Sequence, residues 1–186
     1  MKKIPTIFKR NPDNLRELLD EPHPDCLWVF TGEGAATRKY DGTCVKIENE
    51  KYFKRREVKK GKPIPFGFIE MGFDSNTGKR VGWIEIDPSE KENKWHVEGL
   101  KFTSPDGNLP NGTYELIGPK IQGNPENSEC HGLIMHACAE EYENVPRSFD
   151  ELREWLKDRD IEGIVFHHPD GRMGKIKKRD FGQKRA

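Results

Sequence analysis

Four short motifs carry the side chains of this sequence that could do chemistry together. In chain order they are Lys39-Tyr-Asp-Gly, Tyr114-Glu-Leu, Glu162-Gly-Ile-Val and Lys175-Ile-Lys. Each motif alone is short enough to arise by chance in a chain of ordinary composition. Their order, with each motif on a predicted strand or strand end, indicates one site that combines an amine, carboxylates and paired lysines.

The alternation of side chains along a strand predicts how these residues point. Successive residues face opposite sides, so Lys175 and Lys177 should lie side by side while Ile176 enters the core. Glu162 begins a strand in which Ile164 shares its face, which puts the carboxylate at a rim above apolar packing. A nucleophilic amine, carboxylates that hold a hard divalent cation and lysines for phosphate oxygens are the components for attack on a nucleoside triphosphate.

Charge is distributed unevenly along the chain of 186 residues. The formal net charge is zero, which argues against a protein that coats nucleic acid uniformly. Residues 51–62 and 172–186 nevertheless each carry seven basic side chains against one acid. Two basic segments on a neutral chain predict one positive groove. The length fits a single domain, residues 1–186, with a sizeable core.

The hydrophobic pattern predicts an α+β fold. Residues 12–20 and 148–158 are predicted helices, the second with a capping box from Ser148 to Glu151. Lys39 stands in a segment that is typical of a β-hairpin. Apolar runs bounded by Gly, Pro, Asn and Asp predict short strands that begin near residues 26, 43, 52, 81, 94, 113, 132 and 161. Many short strands with few helices favour mainly antiparallel sheets.

The lengths of the apolar runs and the spacing of the cysteines predict the cellular location of the protein. No run is long enough to cross a membrane, and the N-terminal MKKIPTIFKR has no hydrophobic signal core. The four cysteines form no CxxC pair, so reduced thiols and a cytoplasmic location are expected. Cys130, His131, His136 and Cys138 could ligate zinc, but their spacing matches no zinc-finger signature. Buried thiols and hydrogen-bonded histidines are the preferred interpretation.

The order KxDG, ELxG, EGIV and KxK resembles nucleotidyltransferase motifs I, III, IV and V of the covalent ligase and capping-enzyme superfamily. The segments DGTCVKI, GTYELIGPKIQGNPE and EGIVFHHPDGRMGKIKKRDFG resemble, more closely, the small ATP-dependent 5′-3′ RNA ligases related to the vertebrate RNA ligase 1 family. The resemblance covers most of the chain and implies a nucleotidyltransferase (ATP-grasp-like) domain. Nine residues follow Lys177, so we expect no OB domain of the kind that DNA ligases and capping enzymes carry.

The resemblance also implies a role for each motif residue. Lys39 would be the nucleophile that attacks the α-phosphorus of ATP and forms a lysyl-AMP phosphoramidate, helped by the charges of Lys175 and Lys177. The other residues implied in nucleotide binding are Asp41, Gly42, Arg55, Arg56, Glu115 and Glu162. Of these, Glu162, Glu115 and Asp41 are the implied ligands of Mg²⁺, with Mn²⁺ as an alternative.

Two assignments stay open at the level of sequence. Arg55 and Arg56 face opposite ways on a strand, so at most one of them contacts phosphate directly. The aromatic residue that stacks on adenine in the family has no equivalent in the corresponding strand, where the candidates are Leu133, Met135 and His136.

The implied reaction continues with transfer of AMP to the 5′-phosphate of RNA. Joining to a 3′-hydroxyl then releases AMP, a reaction that serves RNA repair, and the two basic segments would bind RNA phosphates. The alternatives are an enzyme that adenylylates or guanylylates an end without sealing it, a DNA-acting ligase, and a non-enzymatic RNA-binding module. The sequence leaves the oligomeric state, monomer or dimer, open.

Overall fold

The chain folds into two compact units, and a computed structural model describes residues 3–75 and 77–185 of it. Among the described residues, the terminal unit comprises 4–40 and 139–185, and the central unit comprises residue 3 together with 41–75 and 77–138. Each unit has its own sheet and its own buried apolar cluster. The single nucleotidyltransferase domain expected over residues 1–186 stays a prediction.

Strands outnumber helices throughout the described residues. In chain order the strands and α-helices are β1 (Phe8–Arg10), β2 (Leu18–Pro22), α1 (Leu27–Phe30), β3 (Ala35–Lys39), β4 (Thr43–Glu48), β5 (Lys51–Val58), β6 (Ile69–Asp74), β7 (Lys79–Glu85), α2 (Lys94–Thr103), β8 (Gly112–Ile117), β9 (Gly132–Met135), β10 (Glu141–Tyr142), α3 (Phe149–Lys157), β11 (Gly163–His167) and β12 (Met173–Lys177). Short 3₁₀ helices cover Pro24–Cys26, Lys91–Asn93, His136–Cys138 and Lys178–Phe181.

The terminal unit is built on a four-stranded antiparallel sheet with the order β10-β3-β11-β12. One face of this sheet forms the core, because Ile164, Phe166 and Ile176 alternate along β11 and β12 and are fully buried. Helix α3 contributes Leu152 and Leu156 to the same cluster. Strands β1 and β2 pair with each other in a separate two-stranded sheet.

The central unit is built on a six-stranded antiparallel sheet with the order β6-β7-β5-β4-β8-β9. Val45 and Ile47 of β4 and Tyr114 and Leu116 of β8 lie on one face and are buried. Leu100 of helix α2 packs against this cluster. The residues between them in sequence, such as Cys44 and Glu115, point to the opposite face of the sheet, where they can contact a ligand.

The predicted α+β class, with mainly antiparallel sheets and few helices, is confirmed. The helix predicted at 148–158 is α3, and Leu152 and Leu156 lie on its buried face as expected. Its cap differs from the prediction, because the Ser148 hydroxyl donates to the Glu151 carboxylate at 2.5 Å and accepts no hydrogen bond from a backbone N–H of the helix. Among the described residues, no helix has both the length and the apolar composition that a membrane span requires.

The helix predicted at residues 12–20 is wrong. The chain makes turns there and then enters β2. The side-chain oxygens of Asn11 and Asn14 accept hydrogen bonds from the backbone N–H groups of Asp13 and Arg16, at 3.0 and 3.2 Å. Such local bonds satisfy the backbone in a non-helical conformation and compete with the helix.

Two predicted strands are helices instead. The run that begins at residue 26 forms α1, and the run that begins at residue 94 forms α2. A short apolar run does not by itself distinguish a buried strand from a buried helix. In α2 the deciding contact is tertiary: a β-carbon at Gly99 would lie 2.4 Å from Leu116 Cδ1, so the helix packs closely on β8.

The hairpin expected around Lys39 is also wrong. Strand β3, which ends at Lys39, pairs with β10 and β11. Strand β4, which begins at Thr43, pairs with β5 and β8. The residues from Tyr40 to Gly42 therefore connect strands of two different sheets.

Candidate active site

Strand register in the terminal unit brings three lysines to one face of the sheet. Gly163 of β11 lies opposite Lys39 on one side and opposite Lys177 on the other. Val165, two residues further along, lies opposite Lys175. Residues that are directly opposite in adjacent strands share a face, so all three lysines emerge on the side away from the core. The predicted pairing of Lys175 and Lys177, with Ile176 buried between them, is confirmed.

Gly163 lies at the centre of this row, and no side chain fits at its position. A β-carbon at Gly163 would lie 2.1 Å from the carbonyl oxygen of Ile176 and 2.7 Å from the Cα of Lys177. Contacts shorter than about 3 Å between such atoms do not occur in close-packed interiors. Lys39 and Lys177 therefore flank a position without a side chain, which lets both ammonium groups reach the same neighbour.

That neighbour is the carboxylate of Glu162. Its Oε2 accepts a hydrogen bond from Lys39 Nζ, and its Oε1 accepts one from Lys177 Nζ. The Glu162 side chain is 9% exposed and the two lysine side chains are 19% and 12% exposed, so all three are largely removed from water. Strand alternation predicts that Glu162 shares the face of Ile164, but its carboxylate reaches the lysines on the other face. The prediction differs because Glu162 precedes β11 and does not follow the alternation of that strand.

The pKa values within the cluster follow from this arrangement. Burial alone would raise the pKa of Glu162, but the charges and hydrogen bonds of Lys39 and Lys177 outweigh burial and lower it. Burial, reinforced by the charges of Lys177 and Lys39, lowers the pKa of Lys175 from 10.5 to about 8. Burial likewise lowers the pKa of Lys177, although Glu162 opposes the shift. The cluster thus holds an ionised carboxylate together with two lysines, Lys175 and Lys177, whose protonation is disfavoured.

Lys175→Met should change the pH dependence of stability. Between about pH 8 and 10.5 the unfolded chain keeps the Lys175 proton that the folded chain has lost, so the wild-type free energy of unfolding should rise with pH in this window. Below about pH 8 the folded chain carries the unfavourable charge, and the variant lacks that cost. We expect the free energy of unfolding of the variant, minus that of the wild type, to fall as pH rises through the window, measured by urea unfolding. Lys9→Met, at an exposed lysine, is the control, and wild-type and Lys175→Met curves that run parallel would contradict the assignment.

A buried aspartate fixes the end of β12. Asp180 accepts a hydrogen bond from the backbone N–H of Lys177 at 3.0 Å and from the Arg10 guanidinium at 2.7 Å. Asp180 is 7% exposed. The backbone that carries the second lysine is therefore tied down by a charged hydrogen bond within the same unit.

In the central unit, Glu115 is the organising carboxylate. Cys44 and Glu115 are directly opposite on β4 and β8, on the face away from the core. Glu115 is buried, its Oε1 accepts from the Gly42 backbone N–H at 3.0 Å, and its Oε2 lies 3.0 Å from His136 Nε2. A β-carbon at Gly42 would lie 2.1 Å from the Leu116 carbonyl oxygen, so glycine is required for this close approach.

The register separates the two arginines of β5. Lys54 lies opposite the buried Val45, so the next residue, Arg55, lies on the face of Cys44 and Glu115. Arg56 takes the opposite face and is exposed. The Nε of Arg55 is buried and has no hydrogen-bond partner among the described residues. A buried donor of this kind suits an anionic ligand, which favours Arg55 over Arg56 for the phosphate contact.

The other candidate nucleotide-binding residues of the central unit are Asp41 and the three residues considered for contact with adenine. Asp41 donates its backbone N–H to the Glu126 carboxylate at 2.8 Å. Of the three candidates for contact with adenine, Leu133 and Met135 belong to or pack against the apolar cluster. His136 instead lies beside Glu115, which makes it the candidate that shares a face with the nucleotide-binding residues implied there.

The zinc ligand set considered from sequence does not assemble as a group among the described residues. His131 contacts Glu98 at 2.8 Å and accepts a backbone hydrogen bond from Lys120, so the expected hydrogen-bonded histidine is confirmed. Cys130 and Cys138 are exposed, so the expectation of buried thiols is wrong for both. Among the described residues, Cys44, Glu115 and His136 are the group whose ligand atoms lie close enough together to hold a metal ion. The sequence argument missed Cys44, which only the pairing of β4 with β8 brings opposite Glu115.

Comparisons with known proteins converge on one family. The family model of RNA ligase 1 matches residues 103–185, which include Glu115, Glu162, Lys175 and Lys177. RNA ligase 1 of Mus musculus is 28% identical over 159 residues, covering 69% of this chain and 46% of that protein. RNA ligase 1 of Rattus norvegicus is 27% identical with the same coverage, and that of Danio rerio is 23% identical, covering 70% of this chain and 46% of that protein.

The chain spans about half the length of the curated relatives that it matches. The match covers about two thirds of the chain itself. On this evidence the protein is similar to the RNA ligase 1 family.

Proposed function

We propose that this protein is an ATP-dependent RNA ligase that works through a covalent lysyl-AMP intermediate on a nucleotidyltransferase fold. The observation that carries the proposal is the cluster of Lys39, Lys175, Lys177 and Glu162 on one face of the terminal sheet. The names of the similar proteins support an RNA ligase role. The cluster supplies the chemistry that such a role needs.

In the proposed first step, Lys39 Nζ attacks the α-phosphorus of ATP. The nitrogen–phosphorus bond forms, the bond from the α-phosphorus to the bridging oxygen breaks, and pyrophosphate leaves with the electron pair. Attack needs the neutral amine. The proton of the Lys39 ammonium passes to solvent before attack, and Glu162 Oε2, which is in contact with this amine, orients it. Lys175 and Lys177 then stabilise the negative charge that develops on the phosphate oxygens.

Magnesium is the cofactor that the proposal requires, and Glu162 is the residue that fits it. Carboxylate oxygens are ligands that Mg²⁺ prefers, and bound Mg²⁺ supplies charge neutralisation on the phosphates. Because each Glu162 oxygen accepts from a lysine, a bound ion would take the place of one of these contacts. Glu115 lies with a thiol and an imidazole, a set that suits Mg²⁺ poorly.

The central unit supplies donors and acceptors that suit a nucleotide. Glu115 carries a buried carboxylate that suits ribose hydroxyls, and Arg55 carries a buried donor that suits a phosphate oxygen. Gly42, which already lies close to the Leu116 backbone, would also let the main chain approach the nucleotide closely. Asp41 would lie near the ribose or the metal of the bound nucleotide.

Two further steps complete the proposed reaction. The 5′-phosphate of RNA takes AMP from Lys39, and a 3′-hydroxyl then attacks the activated phosphate and releases AMP. Incubation with α-labelled ATP or GTP, followed by a denaturing gel, tests the first step, and label retained from ATP is the expected result. Addition of 5′-phosphorylated RNA or DNA tests the rest. Joined RNA is expected, whereas capped but unjoined ends, or joined DNA alone, would overturn the sealing of RNA.

A surface of the central unit suits single-stranded RNA. We call it the β5–β6 surface and define it by Lys59, Lys60, Lys62, Phe66 and Phe73. Phe66 is fully exposed and Phe73 is 55% exposed, and the three lysines line a shallow pocket together with Phe73. Exposed aromatic rings beside lysines provide stacking for bases and charge for phosphates. This surface lies within and beside the first basic segment predicted from sequence.

Phe66→Ala together with Phe73→Ala should weaken binding of a single-stranded RNA roughly tenfold or more, because stacking contributes about 1–3 kcal/mol per base. Fluorescence anisotropy of a labelled oligonucleotide measures the effect. Phe102→Ala is the matched control, since Phe102 is 63% exposed in the same unit but outside the β5–β6 surface. An equal loss in the control, or no loss in the double variant, would contradict the assignment.

A further inference from the structure

We infer that Cys44, Glu115 and His136 form a binding site for a zinc-like divalent cation. Their ligand atoms, a thiol sulfur, a carboxylate oxygen and an imidazole nitrogen, all lie within 4.8 Å of one another. The three residues lie within the central unit. The site is distinct in its chemistry from the magnesium ligand proposed at Glu162.

The sheet positions all three ligands on one face. Cys44 lies opposite Glu115, and Glu115 lies opposite Ile134. His136 is the first residue of the 3₁₀ helix that follows β9, and its ring reaches the same face, with Nε2 3.0 Å from Glu115 Oε2. Ligands that come from neighbouring strands are held more rigidly than ligands on loops. Strand register therefore pre-forms the pair of Cys44 and Glu115, and the hydrogen bond to Glu115 holds His136 beside them.

The ligand types select the metal. Mg²⁺ and Ca²⁺ take oxygen ligands almost exclusively, whereas thiolate and imidazole favour zinc and other late transition metals. Three protein ligands leave a fourth tetrahedral position for water, as in zinc sites with an open position. The set of one sulfur, one nitrogen and one oxygen therefore suits Zn²⁺.

Outer contacts orient two of the ligands, His136 and Glu115, toward each other. His136 Nδ1 lies 2.9 Å from the Thr113 hydroxyl, and Glu115 Oε1 accepts from the Gly42 N–H at 3.0 Å. These contacts direct His136 Nε2 and Glu115 Oε2 at each other, 3.0 Å apart. A second hydrogen bond on the far side of a histidine ligand is usual in metal sites, since it fixes the tautomer.

Zinc would take the place of the proton shared by His136 Nε2 and Glu115 Oε2. Zinc–ligand distances of about 2.0–2.3 Å require ligand atoms roughly 3.3–3.8 Å apart in a tetrahedron. The distances to the Cys44 sulfur would close by roughly 1–1.5 Å from the 4.8 Å limit, which rotation of its side chain can provide, and the His136–Glu115 pair would open slightly from 3.0 Å. Binding would release the proton of the Cys44 thiol, because the thiolate is the form that ligates a metal.

The consequence for catalysis rests on the proposed function. If Glu115 binds the ribose of ATP, zinc at this site competes with that contact and lowers the yield of lysyl-AMP. The metal site itself does not depend on the ligase proposal. Its test below uses neither ATP nor RNA, so failure of one proposal is distinguishable from failure of the other.

The test is titration of the full chain with Co²⁺, followed by displacement with Zn²⁺ in competition with a chromophoric chelator. A thiolate-to-cobalt absorption band at one equivalent per chain is expected. Cys44→Ser should abolish the band, and Cys44→Ser and His136→Gln should each weaken zinc binding by at least about 100-fold. Thr113→Val should weaken zinc binding by about 10-fold through the loss of the outer contact.

Cys130→Ser and Cys138→Ser are the matched controls, because both thiols are exposed and lie outside the cluster. Both should bind zinc as the wild type does. Absence of a thiolate band in the wild type, an unchanged band in Cys44→Ser, or loss of binding in either control would overturn the proposal. Far-UV circular dichroism of each variant establishes that it is folded, and the wild-type titration tests the site without any substitution.

Discussion

Lys39→Ala should reduce the covalent AMP label by roughly 10³-fold or more, because removal of a nucleophile eliminates the step that depends on it. The structure leads us to expect that the fold survives. Glu162 keeps its second partner, Lys177, and the Lys39 side chain is not part of the buried apolar cluster. The measurement is label retained on a denaturing gel after incubation with α-labelled ATP and Mg²⁺.

Lys9→Ala is the matched control for this experiment. Lys9 belongs to the same unit and pairs with Glu21 at 2.8 Å, but both side chains are exposed. The control should retain full label. Undiminished label in Lys39→Ala would refute Lys39 as the nucleophile. If the label were attached to another lysine, a protease digest would show it on a different peptide.

Glu162→Gln should abolish most adenylylation and also destabilise the protein. The substitution keeps the shape of the side chain but removes the negative charge that two largely buried lysines share. Breaking a buried ion pair leaves uncompensated charge and costs about 3–5 kcal/mol in the free energy of unfolding. Because these side chains are not fully buried, we expect about 3 kcal/mol, measured by urea unfolding at neutral pH.

The pH dependence provides an independent check on Glu162. Its pKa in the folded state is lowered from the ordinary value of 4.5, so its contribution to stability is fully present above about pH 4.5. That contribution is lost as pH falls through the lowered pKa, because the unfolded chain takes up the proton first. The difference in stability between wild type and Glu162→Gln should therefore shrink at acid pH.

Glu21→Gln is the control, since an exposed pair contributes about 0–1 kcal/mol. The control should show little change in stability and none in the AMP label. A Glu162→Gln variant with wild-type stability and wild-type label would contradict both the electrostatic account of the cluster and the proposed reaction.

Short motifs were sufficient to identify the lysine cluster. The spacing of Lys175 and Lys177 predicted two lysines on one face with a buried isoleucine between them, and the structure has that arrangement. The prediction succeeded because strand alternation is a local property of the backbone. The same local reasoning was wrong for residues 94–103, because Gly99 packs against Leu116, which is distant in sequence.

Positions that depend on pairing between distant strands needed the tertiary structure. The local sequence pattern does not show which of Arg55 and Arg56 lies on the face of Glu115. The pairing of β5 with β4 and β7 assigns that face to Arg55. Cys44 showed no chemical signal in the sequence. Its place beside Glu115 follows from the register of β4 against β8, which is set by burial of Val45 and Tyr114 on the opposite face.

The sequence by itself determined which side chains this protein has for chemistry and which of them alternate onto the same face of a strand. Only the tertiary structure decided which strands lie side by side, and therefore that Lys39 and Lys177 meet across Gly163 at the carboxylate of Glu162. The physical reason is that alternation is fixed by the geometry of one strand. Register between strands is fixed by packing of the buried face over the whole sheet.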